Sequence, residues 1–128
     1  MFRRLNSFLK GTSGIKDSYV RTSYSQCGED LIIDFLFTQL GIEKPGYIDI
    51  GAHHPSYINN TFYFYKKWSR GINIEPDPAL IAGFESKRKG DINLNIGIGE
   101  VSGEADFYIM NEPTLNTFVK EEAERMQA

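Results

Sequence analysis

Two acidic residues stand where short β-favouring runs end: Asp49 lies within the run of residues 47–50, and Glu75 directly follows residues 72–74. A carboxylate near the end of a buried parallel strand is costly unless something there uses it. In open α/β sheets, ligands bind outside the carboxyl ends of the strands. An acid at the end of the second strand typically accepts hydrogen bonds from both hydroxyls of a ribose. The pair therefore predicts an adenosine-containing ligand.

The turn after the first strand narrows the choice of ligand. It reads GAHHPS over residues 51–56, with one glycine and no lysine. A dinucleotide-binding turn needs GxGxxG and a P-loop needs a lysine followed by Ser or Thr, so NAD and ATP are both disfavoured. A ligand with an amino-acid moiety fits better, because its ammonium needs acceptors such as the nearby acid and its carboxylate needs donors.

His53 and His54, the two histidines of the chain, follow that glycine at the mouth of the predicted site. Either ring is a candidate general base toward a hydroxyl group. The competing interpretation is that they shape the turn or contact the ligand. It is favoured because neither histidine has an identifiable orienting partner in the sequence. No metal site is expected from these residues and Asp49, since consecutive residues converge poorly on one ion.

The spacing of apolar residues predicts the elements that position these groups. Helical spacing predicts helices over residues 28–40, 61–68 and 78–89 and in the polar tail from residue 117. Short β-favouring runs predict strands over residues 47–50, 72–74, 92–98 and 105–110, with the last as a hairpin partner of the third. This alternation predicts an α/β fold with a parallel sheet and right-handed crossovers.

Two charged or aromatic stretches have a structural interpretation. The aromatic residues Phe62, Tyr65 and Trp68 fall at helical spacing, which favours core packing over a base-stacking surface. The basic run of residues 87–89 closes a helix, where positive charge stabilises the negative end of the dipole. Neither stretch is needed to explain a ligand site.

Composition limits the classes of function. The length of 128 residues suffices for one domain, and the net charge of −3 with no broad basic surface argues against nucleic acid as a partner. Cys27 is the single cysteine, so no internal disulfide is expected and a reducing, cytoplasmic location is the default. Residues 1–11 have the pattern of neither a signal peptide nor an integral membrane segment.

Four ordered segments carry a resemblance to a known family: SQCGEDLIIDFLF, YIDIGAHHP, NNTFYFYKKWSRGINIEPDP and NLNIGIGEVSGEADFYI. Together they closely resemble the FkbM-type methyltransferases, a branch of the class I S-adenosylmethionine-dependent enzymes, over residues 25–117. The resemblance implies a Rossmann-like class I methyltransferase fold with S-adenosyl-L-methionine as cofactor. It also implies methyl transfer to a hydroxyl of a sugar, a glycan or a related small-molecule acceptor.

The same resemblance implies a set of cofactor-binding residues. Asp49, Gly51 and Ala52 correspond to the turn on the methionine side, with His53 adjacent, and Glu75 corresponds to the acid that holds the ribose hydroxyls. Further positions are implied less directly: Asn95 and Ile96 beside the adenine, and Gln26 and Asp30 in a segment that helps to close the site.

FkbM-type enzymes continue past the hairpin to a fourth strand and the rest of a seven-stranded sheet, whereas this sequence ends at Ala128. We therefore expect residues 1–24 to form a leader or surface segment and residues 25–128 to form a partial, N-terminal methyltransferase domain, truncated at its C-terminus. The alternative is a truncated, catalytically inactive module that binds cofactor or protein. A docking module would use the helical face of Phe2, Leu5, Phe8 and Leu9 or unpaired sheet edges, and predicts self-association.

Overall fold

The computed structural model describes residues 20–127. The predicted leader of residues 1–24 lies mostly outside this range, as does the helical face of residues 2–9. Within the range, helices and strands alternate in the predicted order. The elements are α1 (Glu29–Gln39), β1 (Tyr47–Ile50), α2 (Phe62–Lys66), β2 (Gly71–Ile74), α3 (Pro78–Lys87), β3 (Ile92–Leu94), a 3₁₀ turn (Pro113–Leu115) and α4 (Lys120–Gln127).

The strands form a three-stranded parallel sheet in the order β1, β2, β3. Asp49 pairs with Asn73 across the first two strands. Beyond the strand ends, the backbone amides of Gly51 and Ala52 donate to the carbonyl oxygen of Ile74 at 2.9 and 3.1 Å. The predicted parallel α/β architecture is confirmed for these residues, and it places the carboxyl ends of β1 and β2 side by side.

Local signals explain where the two longer helices begin and end. Gly28 precedes α1 with a φ of 90°, and Gly41 follows it with a φ of 69°, both in the left-handed region that glycine adopts without a steric penalty. Asp77 caps α3 by accepting a hydrogen bond from the amide of Ala79 at 2.8 Å, with Pro78 at the first helical position. The predicted N-cap is confirmed.

The third strand is shorter than predicted, and the predicted hairpin does not form. Pairing ends at Leu94, because Pro76 follows Glu75 on the neighbouring segment and offers no backbone donor. The side chain of Asn95 instead donates to the carbonyl oxygens of Glu75 and Pro76, each at 2.8 Å. Residues 105–110 pair elsewhere, through one antiparallel bridge between Tyr108 and Thr117. The hairpin prediction was therefore wrong.

The sheet is covered on one face within residues 20–127. Tyr47 and Asp49 point toward α2 and α3, where their side chains contact Arg88 and Thr61. The alternating residues Ile48 and Ile50 are 64% and 63% exposed, so the expectation of a fully buried first strand was wrong for that face.

The helix α2 follows the core-packing interpretation in part. Phe64 is buried, but Trp68, just past the helix, is 72% exposed. None of the helices within residues 20–127 has the length and apolarity that crossing a membrane requires.

Gly71 is a position where the sheet tolerates no side chain. A Cβ atom built there would overlap both the ring and the carbonyl oxygen of Tyr47 on the paired strand. We expect Gly71→Ala to lower the free energy of unfolding by about 1–3 kcal/mol, because one strand must shift. Urea denaturation followed by circular dichroism measures this. The control is Gly103→Ala, where the added methyl meets nothing within 4 Å, and equal losses in both variants would contradict the prediction.

Candidate cofactor site

A cavity of about 390 Å³ lies at the carboxyl ends of β1 and β2. Its walls come from four stretches of chain: residues 50–58, 74–76, 96–98 and 107–118. Cavities of a few hundred Å³ with mostly apolar walls and a few fixed polar groups are typical of small-molecule sites. The position matches the one predicted from the ends of parallel strands.

The structure brings most of the predicted residues to this cavity. Gly51, His53, Glu75 and Ile96 line it. Asp49, Ala52 and Asn95 stand just behind the lining: Asp49 and Ala52 share the amide of Asn59, and Asn95 holds the backbone that carries Glu75.

Glu75 presents a fixed carboxylate to the cavity although it is only 4% exposed. Its Oε2 accepts a hydrogen bond from the amide of His53 at 2.9 Å, and its Oε1 accepts one from the amide of Asp77, also at 2.9 Å. These backbone donors belong to the turns after β1 and β2, so the carboxylate links the two strand ends. Each oxygen keeps a second lone pair, which can accept a hydroxyl of a ligand.

Asp49 is held from one side. Its Oδ2 accepts hydrogen bonds from the hydroxyl of Thr61 at 2.8 Å and from the amide of Asn59 at 3.2 Å. No group within residues 20–127 donates to its Oδ1. Burial raises the pKa of Asp49, while the hydrogen bond from Thr61 and the charge of Arg88 act in the opposite direction. An ammonium group of a ligand would supply the missing partner.

A fully buried ion pair supports this arrangement from below. Arg88 and Asp91 both have side chains that are 0% exposed, and their charged atoms are 2.8 Å apart. The hydroxyl of Tyr47 accepts a hydrogen bond from Arg88 and donates to Asp91. Burial and the adjacent Asp91 raise the pKa of Tyr47, which keeps this donor protonated. The sequence analysis treated Arg88 like its exposed neighbours Lys87 and Lys89, and that interpretation was incomplete.

Arg88 also fixes the orientation of the two groups that hold Asp49. It donates to the side-chain oxygen of Asn59 at 3.3 Å, so the amide nitrogen of Asn59 must face Asp49. It donates to the hydroxyl oxygen of Thr61 at 3.1 Å, so the hydroxyl hydrogen is directed at Asp49. Asn59 and Thr61 were not predicted, since a polar turn residue gives no sign in the sequence of its tertiary partner.

Backbone strain is concentrated beside the cavity. His53 and Ile58 both line it and have φ values of 55° and 47°. Positive φ is a genuine outlier for a β-branched residue such as isoleucine. Residues held in this region cost about 1–3 kcal/mol each and cluster at functional sites. The strain therefore supports a ligand role for the turn after β1.

Comparison with known families now decides which protein class carries this site. Residues 49–126 match the family described as the methyltransferase FkbM domain. The chain belongs to this family. No curated protein and no solved structure matches the chain. The matched region begins at Asp49 and contains every segment that lines the cavity.

The two histidines of the FkbM domain have different surroundings. The Nδ1 atom of His54 accepts hydrogen bonds from the amides of Ser56 and Tyr57 at 3.1 and 3.2 Å. Burial, Lys87 and His53 together lower the pKa of His54, so its ring is neutral with the hydrogen on Nε2. These contacts favour the turn-shaping interpretation for His54. His53, by contrast, lines the cavity.

Gln26 and Asp30 lie away from the cavity of the FkbM domain. Gln26 is exposed, and Asp30 is buried at the start of α1. Asp30 accepts hydrogen bonds from the hydroxyls of Ser23 and Ser25 and from the amide of Tyr24, at 2.7 to 2.9 Å. Burial alone would raise the pKa of Asp30, but these hydrogen bonds outweigh it and lower the pKa. Their contacts organise the entry to α1, and neither residue lines the cavity.

Proposed function

We propose that this FkbM domain binds S-adenosyl-L-methionine in the cavity, as a Rossmann-like class I methyltransferase, and methylates a hydroxyl of a sugar, a glycan or a related small molecule. The observation that carries the proposal is the placement of Asp49 and Glu75 at the ends of adjacent parallel strands beside one cavity. Their free acceptor positions fit the two groups of the cofactor that need them, an ammonium and a ribose diol.

Each residue has a role that its contacts support. Glu75 accepts hydrogen bonds from the ribose hydroxyls, and the Oδ1 atom of Asp49 accepts one from the ammonium group. Gly51 and Ala52 let the backbone approach the methionine side, and Ile96 lies beside the base. When bound, S-adenosyl-L-methionine supplies an electrophilic methyl group. The chain's own contribution is to hold cofactor and acceptor close and aligned, which is the main source of acceleration in such a displacement.

His53 is the stronger candidate for the residue that takes the acceptor's proton. It lines the cavity, whereas the Nδ1 lone pair of His54 is already occupied by two backbone amides. A general base must reach the proton it removes, so the position of His53 matters more than its type.

A second function, protein interaction, is favoured by the uncovered isoleucines of β1, because exposed apolar strands at a sheet edge pair with other chains. This alternative predicts self-association that grows with concentration and no affinity for an adenosyl ligand.

Calorimetric titration of the full chain with S-adenosylhomocysteine, the demethylated cofactor, tests the proposal. We expect binding of S-adenosylhomocysteine and none of NADH, because the turn of residues 51–56 lacks the glycines that a dinucleotide pyrophosphate requires. Circular dichroism of the same sample establishes that the chain is folded. A folded chain that gives no heat with S-adenosylhomocysteine contradicts the proposal.

Binding should strengthen as the pH rises from mildly acidic to neutral values. The ammonium group requires an ionised Asp49, and burial places the pKa of this carboxyl above its ordinary value. In the empty chain the same raised pKa means that the folded state holds the proton more firmly, so stability falls as the pH rises through that window. A bound ammonium reverses the preference. Dissociation constants for S-adenosylhomocysteine across this pH range measure the effect.

Asp49→Asn is the matched control for the pH dependence. It keeps the shape of the side chain and removes the titrating group, so the part of the pH dependence due to Asp49 should vanish. At neutral pH the affinity should fall by about 10- to 150-fold, the equivalent of one hydrogen bond to a charged group. The same pH curve in the wild type and the variant would show that Asp49 does not contact the ligand.

A further inference from the structure

The segment of residues 107–118 supplies an aromatic wall to the cavity. Phe107 and Phe118 both line it, with ring centroids 4.7 Å apart and planes tilted by 47°. Phe118 is 42% exposed, which is unusual for a large aromatic ring that already has an aromatic neighbour and a cavity beside it. Half-exposed rings that face a cavity are available to stack on a flat ligand group.

The backbone at Gly97 brings this wall next to Ile96. A Cβ atom built on Gly97 would overlap the ring of Phe118, so the ring lies directly against the chain at that position. Ile96, the preceding residue, also lines the cavity and is the residue assigned to the base of the cofactor under the proposed function. The absence of a side chain at position 97 therefore places an aromatic ring beside the predicted position of the base.

Hydrogen bonds tie the wall to the part of the site that holds the ribose. The amide nitrogen of Asn116 donates to Asp77 at 3.0 Å, and its oxygen accepts from the amide of Met110 at 2.8 Å. The amide of Asp77 in turn donates to Glu75. Since Phe118 follows two residues after Asn116, the ring and the carboxylate of Glu75 are held by one connected set of bonds. The wall is thus positioned before a ligand binds.

We propose that Phe118, supported by Phe107, is the residue that stacks on the purine base of the cofactor and so makes the site specific for an adenosyl ligand. This inference rests on the proposed function. It assigns a binding role to the C-terminal segment, which the sequence suggested only as a hairpin strand and a tail.

The test compares two ligands that differ only in the base: S-adenosylhomocysteine and S-ribosylhomocysteine, which lacks adenine. Stacking of one base on an aromatic side chain corresponds to a change in affinity of about 5- to 150-fold. We expect Phe118→Ala to weaken S-adenosylhomocysteine by that factor and to leave S-ribosylhomocysteine unchanged. Phe118→Trp should keep the affinity for both, and Gly97→Ala should resemble Phe118→Ala because it displaces the ring. Val119→Ala, at the next position and outside the cavity lining, is the matched control.

The outcomes separate the inference from the proposed function. If the wild type binds S-adenosylhomocysteine and Phe118→Ala leaves that affinity unchanged, the inference is overturned and the proposed function stands. If Phe118→Ala weakens both ligands equally, the role of the ring is structural and the inference is again overturned. If the folded wild type binds no S-adenosylhomocysteine, both are overturned together.

Discussion

Replacing Arg88 with methionine should lower the free energy of unfolding by about 3–5 kcal/mol, the usual cost of removing one partner from a buried ion pair. Methionine keeps much of the length and apolar volume of the arginine stem but none of its donors. Asp91, whose side chain is 0% exposed, would then be left as a buried charge without its cation. The carbonyl oxygen of Pro55 and the side-chain oxygen of Asn59 would lose a donor at the same time.

Urea denaturation of Arg88→Met beside Lys89→Met measures this effect with a matched control. Lys89 is the next residue, carries the same charge and is exposed, so its replacement should change stability by no more than about 0.5 kcal/mol. Arg88→Lys should fall between the two, since a lysine restores the charge but cannot donate to as many partners from one plane. Similar losses for Arg88→Met and Lys89→Met would mean that the buried network does not depend on the guanidinium group.

The sequence predicted the elements whose signals are local. The N-cap at Asp77, the glycines around α1 and the short apolar runs of β1 and β2 act through neighbouring residues, and the structure has each of them. The prediction failed at β3, where the alternating isoleucines continue to residue 98 but the partner strand does not. Strand length depends on the neighbour, and a proline on that neighbour ended the ladder early.

The candidate site was predicted to the same depth. Parallel strands fix the position of their carboxyl ends, so the proximity of Asp49 and Glu75 followed from the pattern alone. Arg88 was missed because a basic residue in the last turn of a helix is usually exposed, and its burial arises from contacts with residues 27 to 41 positions away. The aromatic wall was missed for a related reason, since residues 105–110 have a strand-like pattern but pair with Thr117 instead of β3.

These two missed features share a physical role. Arg88 acts through Asn59 and Thr61 on Asp49, and Asn116 acts through Asp77 on Glu75. In both cases a polar side chain outside the cavity fixes a carboxylate that faces a ligand. Orientation of this kind reduces the ordering that binding must impose, which raises affinity without any additional contact to the ligand.

Glu75→Gln should weaken binding of S-adenosylhomocysteine by about one hundred-fold or more. Two ribose hydroxyls donating to a carboxylate are each worth about 1.5–3 kcal/mol, and a neutral amide offers one acceptor oxygen in place of two. The amide nitrogen of the new side chain would also face a backbone donor, either that of His53 or that of Asp77. The expected result is therefore loss of affinity together with a modest loss of stability, measured by calorimetry and by thermal unfolding of the same samples.

The 2′-deoxy form of S-adenosylhomocysteine separates the ribose contact from a general effect on the site. It lacks one of the two hydroxyls, so Glu75→Gln should cost it several-fold less affinity than it costs the full ligand. Glu85→Gln, an exposed substitution of the same type on α3 and outside the cavity lining, should leave both affinities unchanged. Equal losses for the two ligands in Glu75→Gln would show that the residue supports the turn after β1 without contacting the ribose, and the site would then need another acceptor for the diol.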